Sequence, residues 1–449
     1  MLIFFNKSKI IINLKNLILK KIEIHEKKNI FYLRIIMHII KFTLSSKFRT
    51  NRCFIDPPSD FIYFNRKLVN FYSYPLKIIA YFLKKKKIFI SVNNDCNFSI
   101  GHIFCEINEL KRIQKLNVKY SGSIIWFIST RKEILNSTKD VFEDKNFKIL
   151  FGGFKRLVLT NVAIKCPSIS IDASLGTDNY IFSDKYLSAR IVYNSKSKKR
   201  AKMITKSPEF YPLKEKLNKY LHESIGLMKK LNIRKKYIVI QFKNSKTNAT
   251  YEILNPKVYE DTLNYFKRNG YSIVLAGREP YPQIFFKYDV IDYANSKYAT
   301  PFNDYLIVGN SSLVISSGSG FCNIAEVTDK PLLVVNSFHG IQQFARRTIL
   351  LPTLLSIEGS PPNAKKQHIY LCTFGQRFGH DNSIDLELSH KATNDEILMG
   401  SKELEEMVDF PLPALTFSQK NNLKNFPLIP DGLSKISDYY LTKHANFFK

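Results

Sequence analysis

Cysteine is scarce and scattered in this 449-residue chain: Cys53, Cys96, Cys105, Cys166, Cys322 and Cys372, with no Cys-x-x-Cys pair. That pattern excludes a disulfide framework and predicts a reducing, cytoplasmic setting. Cys96, His102 and Cys105 lie close in sequence, but a closed zinc site needs a fourth ligand that the neighbourhood does not offer. They read as buried thiols beside a functional loop, so no metal is expected. Tracts of Gly, Pro or Gln are absent, as is any fixed-period repeat, which excludes low-complexity and solenoid architectures. No apolar run approaches the roughly 18 residues that a membrane span needs. No small-residue cleavage site follows the N-terminal apolar stretch, so a secretory signal is not expected.

Acidic residues are also few, 38 against 68 Lys plus Arg, for a formal net charge of +30. Such a charge attracts polyanions and anionic membranes. Nucleic acid is not the expected partner, because the chain lacks a Cys/His finger, an RRM signature and a basic zipper. The basic runs at 84–87 and 194–202 read as a strand flank and a solvated loop. Much of the remainder is Ile, Lys and Asn, a bias that an AT-rich genome imposes. With 45% hydrophobic and 24% charged residues, the composition is that of a globular chain of two domains.

Residues 1–50 carry a basic stripe: Arg34, His38 and Lys41 recur at i, i+4 and i+7, beside Ile36, Ile39, Ile40 and Thr43. Such a helix either lies on an anionic membrane surface or packs on the N-terminal domain. Ile88–Val92 reads as a buried parallel strand, followed by the polar stretch 93–99 and an amphipathic helix opened by Gly101 and His102. Ile124–Ile128 and Leu157–Thr160 read as further strands. Ligands of open parallel sheets bind beyond the carboxyl ends of strands, which places Asn93–His102 for chemistry. His102 and Glu106 share a helix face by their four-residue spacing.

A long helix over 213–231 leads to a second half in which strands and helices alternate. Strands are expected at 237–242, 271–276, 290–292, 313–317 and 331–335, with helices at 256–268, 301–308 and 320–328. The alternation argues for a doubly wound parallel sheet. Thr393 to Glu396 fits a capping box. Ser316-Ser317-Gly318-Ser319-Gly320 stands between a strand and a helix, where small residues let backbone amides reach phosphate oxygens. It is neither a P-loop nor a GxGxxG fingerprint, since Asn323 occupies the third glycine position, and the same stretch also suits a plain tight turn. Lys243 and Arg278, just past the first two strands of this half, point to the same edge. They are either partners of a diphosphate or solvated surface charges.

The run VIDYANSKYATPFNDYLIVGNSSLVISSGSGFCNIAEVTDKPLLVVN, Val290–Asn336, resembles a family of largely uncharacterised bacterial glycosyltransferases linked to surface polysaccharides. The shared features are Ile291 to Ala294, Asp304 with Leu306, Ser317 to Gly320, Lys330-Pro331 and Asn336. An upstream Tyr259, Leu263, Gly270-Tyr271 pattern agrees with them. The resemblance extends over about Tyr237–Asn336, is weaker as far as the capping-box helix, and is vague before that. Three positions depart from it. Gln241-Phe242-Lys243-Asn244 stands for a His-Val-Arg-Asp-like strand end, Leu254-Asn255 for an Arg-Asn pair, and Leu275 for an arginine.

The resemblance implies a GT-B-like α/β architecture, two Rossmann-like doubly wound domains facing across a cleft. The expected division is a basic segment over 1–50, an acceptor domain over 51–210, a linker helix over 211–235, a nucleotide-sugar domain over 236–390 and a helical tail over 391–449. The implied activity is a metal-independent, cofactor-free transfer of sugar from a nucleotide-sugar to a glycan or lipid-linked acceptor, in the cytoplasm or peripherally at the inner face of the membrane. In this reading Ser316, Ser317, Gly318, Ser319 and Gly320 cradle the diphosphate, with Lys243 and Arg278 as charge partners. Glu326 holds ribose or sugar hydroxyls, or is a surface carboxylate. Asp95 and His102 are candidates for the base, or a turn former and a helix-start residue; His339 is a third. Asp304 and Asn336 belong to the shared run. Two other readings stay open: a pyruvyl-transferase type of polysaccharide-modifying enzyme, and a non-catalytic sugar- or membrane-binding member.

Overall fold

Strands that are apolar along their whole length belong in the middle of a parallel sheet, where both faces are covered. In the computed structural model, Tyr237–Gln241 (β4) and Leu313–Ser317 (β7) hold that place: every residue is buried, and the polar ones, Gln241, Ser316 and Ser317, stand at the carboxyl ends. The structure describes residues 75–92, 100–129, 132–151, 158–159, 162–163, 166–171, 211–242, 256–277, 281–317, 320–337, 346–352, 354–357, 386–409, 412–425 and 434–445. All lie within one unit, 70–449. The basic segment expected over 1–50 is outside them.

The first sheet holds Ile88–Val92 (β1), Ile124–Ser129 (β2) and Phe147–Phe151 (β3), parallel and in that order. On the free side of β1, Ile90 bridges Ser170 in parallel, and the Ile171 N–H donates to the Ile90 carbonyl at 2.9 Å. Chain crossing thus reverses at β1. The strand expected at 157–160 is a correction: Val158 and Leu159 are helical. Leu159, Val162 and Ala163 are buried at helical spacing in a small cluster with Ile88 and Ile90. The third strand is instead the aromatic-flanked run FKILF.

Helix α1, Ile100–Leu116, follows β1, and α2, Lys132–Phe142, follows β2. The expected amphipathic helix is buried on its polar side as well, with Glu106, Asn108, Glu109, Lys111 and Arg112 all buried and Lys115 in its last turn exposed. Lys111 pairs with Asp144, and the Arg112 guanidinium lies 5.5 Å from the Tyr211 ring. The Arg346 guanidinium lies at the same distance, 5.5 Å, from the Tyr211 ring. Arg346 in turn clamps Asp329 through Nε at 3.1 Å and Nη2 at 2.8 Å, while Lys214 Nζ reaches the same carboxylate at 2.8 Å. Burial favours the neutral acid at Asp329, but the hydrogen bonds from Arg346 and Lys214 outweigh it and hold the carboxyl below its usual range. Arg112, Tyr211, Lys214, Asp329 and Arg346 come from both halves of the chain, and this cluster ties them together.

The connection expected as one helix over 213–231 is broken into Pro212–Glu215, a 3-10 turn Lys216–Tyr220 and α3, Leu221–Lys230. Leu217 and Tyr220 are buried there, with Tyr220 edge-on to Phe302.

The second sheet runs β12-β9-β8-β7-β4-β5-β6, all parallel. Its further strands are Ser272–Leu275 (β5), Ile291–Asp292 (β6), Leu332–Ser337 (β8), Thr348–Pro352 (β9) and Lys435–Ile436 (β12). Leu354–Ile357 (β10) and Leu386–His390 (β11) form a separate antiparallel pair. Glu260–Arg268 (α4) follows β4, Pro301–Asn310 (α5) precedes β7, and Cys322–Val327 (α6) joins β7 to β8. The order is doubly wound. Right-handed crossovers that leave β4 and β7 in opposite directions put α4 and α6 on opposite faces. Asn394–Glu405 (α7) packs beside α4 and across β7, β8 and β9. The capping box forms as read, with Thr393 and Glu396 each bonding the other's backbone N–H. Phe417–Asn425 (α8) and Asp438–Lys443 (α9) complete the described elements. Among the described residues no helix is long and apolar enough to cross a membrane.

Candidate functional site

In a doubly wound sheet the crevice for a ligand opens where neighbouring strands send their connections in opposite directions. That point lies between β4 and β7. Their carboxyl ends are joined by side chains: Ser316 Oγ donates to Gln241 Oε1 at 2.7 Å, and both residues are buried. Gly277, past the end of β5, has φ +100°, and a Cβ there would stand 3.0 Å from Gln241 Cγ. Tyr281 closes the same edge. Its hydroxyl lies 2.7 Å from the Ala276 carbonyl and 3.0 Å from that of Ile240, and it accepts the Phe242 N–H at 3.1 Å. Gln241 is therefore the floor of the switch point. In the sequence it registers only as a departure from the family that the run after it resembles.

The glycine-bearing loop leaves β7 here. Cys322 Sγ bonds the Ser317 carbonyl at 3.1 Å, which pins the start of α6 to the strand end. Gly320 meets the start of α1: a Cβ on Gly101 would fall 1.3 Å from the Gly320 carbonyl oxygen. The helices that follow β1 and β7, the reversal strands of the two sheets, thus come together at their beginnings and pack against each other. Cys105 on α1 and Glu326 on α6 face each other, Sγ to Oε2 3.9 Å. Asn323, also on α6, is buried, and neither amide atom has a hydrogen-bond partner.

The expected site residues fall into three groups. Ser316, Ser317, Gly320 and Glu326 gather around the end of β7 and α6. Glu326 is buried against α1, which corrects its reading as a surface carboxylate. His102 is placed by its backbone in the first turn of α1, on the same helix start that touches Gly320. Asp304 and Asn336 are tied into the scaffold. Asp304 is buried and accepts the Tyr293 hydroxyl at 2.7 Å; Asn336, at φ 54°, accepts the Ala392 N–H through Oδ1 at 2.8 Å. Asp95, Lys243, Arg278, Gly318, Ser319 and His339 lie outside the described residues. Cys105, Cys166 and Cys322 are buried.

No family model matches the chain, and no curated protein matches it in sequence. Solved structures similar to it include heptosyltransferase WaaC of E. coli with ADP, at 9% identity and a TM-score of 0.38, over 59% of this chain and 93% of that one. A family 9 glycosyl transferase from Veillonella parvula is similar at 12% identity and a TM-score of 0.38, over 60% of this chain and 87% of the other. The ADP-heptose LPS heptosyltransferase II of E. coli is similar at 10% identity and a TM-score of 0.41, over 71% and 98%.

Proposed function

We propose that this chain is a GT-B-type glycosyltransferase that moves a sugar from a nucleotide-sugar to a surface-polysaccharide or related acceptor, without a catalytic metal or bound cofactor. The observation that carries the reading is the Gln241–Ser316 hydrogen bond at the β4/β7 reversal, with the glycine-bearing loop leaving that point toward α1. A doubly wound sheet holds nucleotides at this place, and the loop belongs to the run that resembles the transferase family. In this reading Ser316 sets the strand end through Gln241, while Ser317 to Gly320 surround the diphosphate and Lys243 and Arg278 balance its charge. Glu326, buried behind them beside Cys105, is the group this reading assigns to sugar hydroxyls. Asp95 or His102, or else His339, takes the proton from the acceptor hydroxyl as its oxygen bonds the anomeric carbon and the bond to the diphosphate breaks.

The acceptor side fits a peripheral position on the cytoplasmic membrane face. On the helix over 75–85, Ile78, Tyr81 and Phe82 are 45%, 64% and 56% exposed. The exposed lysines Lys77 and Lys84 to Lys87 surround them. An apolar face rimmed by cations suits an anionic bilayer surface.

A thermal-shift screen of the purified chain against UDP-, GDP-, CMP-, dTDP- and ADP-sugars tests the donor reading, with phosphoenolpyruvate and a short DNA as controls. A ligand at about a hundred times its Kd stabilises the fold by roughly 2.7 kcal/mol, a shift of a few degrees. A shift with a nucleotide-sugar that is lost in Ser319→Trp supports it. No shift with any nucleotide-sugar overturns it, and a response to phosphoenolpyruvate alone moves the assignment to the pyruvyl-transferase type.

A further inference from the structure

The carboxylate that completes the capping box of α7 has more around it than a cap uses. Glu396 is fully buried. Its Oε2 accepts the Thr393 N–H at 2.9 Å and lies 2.8 Å from His390 Nε2. Its Oε1 lies 2.7 Å from His444 Nε2 and 3.1 Å from Lys443 Nζ. The two imidazole rings are 4.3 Å apart, centroid to centroid. The three residues come from the end of β11, the first turn of α7 and the C-cap of α9. One ligating atom from each lies within 4.8 Å of the others, the one such group among the described residues.

We propose that His390, Glu396 and His444 bind a divalent transition-metal ion that staples β11, α7 and α9 together. Two imidazoles and a carboxylate form a nitrogen–oxygen set that favours zinc and its first-row neighbours over magnesium or calcium. Without an ion, both rings must keep a proton on Nε2 and point it at one carboxylate. An ion replaces those two protons, which leave to solvent, and exchanges two N–H···O bonds for coordinate bonds. A small swing of each ring brings its Nε2 to the about 2.0–2.2 Å of such bonds.

The other contacts of Glu396 fit this role. The Thr393 N–H stays on Oε2 and orients the carboxylate, as outer partners of metal ligands do. Lys443 also lies 3.6 Å from Asp395, an exposed carboxylate that can hold its charge when the ion arrives. Three protein ligands leave the remaining positions to water. The site shares no residue with the loop after β7, so it does not depend on the transferase reading.

The test uses the full chain, freed of metal by chelation and dialysis, then titrated with Co²⁺ while its visible d–d bands are followed. One equivalent is expected, with zinc displacing the cobalt and raising the melting temperature. His390→Gln and His444→Gln each place an amide N–H near the Nε2 position toward Glu396, so the apo fold and its melting temperature should persist. Each should weaken Co²⁺ binding by more than the about 10–100-fold that loss of an outer-shell partner costs. Absence of a stoichiometric signal overturns the site. So does unchanged binding in both variants, which instead places the ion elsewhere, for example at thiols. Nucleotide-sugar binding is read separately by thermal shift, so failure of either reading leaves the other standing.

Discussion

Gly101 and Gly320 stand backbone against backbone: a Cβ on Gly101 would lie 1.3 Å from the Gly320 oxygen and 2.2 Å from its carbonyl carbon. One belongs to the helix start after the first sheet's reversal strand, the other to the loop at the second sheet's switch point. Neither contacting group is the end of a movable side chain, so the obstacle cannot rotate away.

Gly101→Ala should therefore cost at least the about 1–3 kcal/mol of ordinary overpacking. Urea unfolding measures it. A midpoint equal to that of the unchanged chain would mean that the two helix starts do not touch in solution.

Asp329 is buried under three donor groups from Arg346 and Lys214. Asp329→Asn leaves two cations facing a neutral amide, so a loss of about 3–5 kcal/mol is expected. Arg346→Met and Asp329→Asn together should cost less than the sum of the single changes, because they share this cluster. Strict additivity in the double-mutant cycle would remove the proposed coupling.

Alkaline pH should first strengthen and then weaken the fold. Burial lowers Lys216 and Lys330 to about 8, with help at Lys216 from Lys111 and at Lys330 from Arg347. The unfolded chain holds these protons up to about 10.4, so it binds more protons than the native state between about pH 8 and 10, and stability rises there. Burial raises the Tyr237, Tyr305 and Tyr440 hydroxyls instead, so above about pH 10 the unfolded chain sheds protons first and stability falls. Urea midpoints across this range check the curve, and Lys330→Met should flatten its rising limb.

Ile78→Ser, Tyr81→Ser and Phe82→Ser, combined, should leave the melting temperature nearly unchanged, because these side chains are exposed. Sedimentation with vesicles containing phosphatidylglycerol should fall severalfold. Retained binding in this variant, or equal binding to neutral vesicles, would remove this face as the membrane contact.

Residue order alone determined the strands that are mostly apolar. Ile88–Val92 and Leu313–Ser317 stand where their composition puts them, because a short β-branched run with only serines among its polar positions has a buried parallel strand or a core helix to join. Thr393 and Glu396 likewise contain their cap, which is local chemistry over four residues. Tertiary structure decided what depends on distant partners. The charged side of α1 reads as a solvent face, yet Asp144, Tyr211 and the packing of α6 bury it. Leu157–Thr160 was indistinguishable from a strand until the cluster under β1 claimed its helical spacing. Gln241 became the floor of the switch point only when β4 and β7 were laid side by side, 75 residues apart in the chain. His390, Glu396 and His444 share no sequence spacing that signals a ligand set; α9 must fold back against α7 before their three ligating atoms meet.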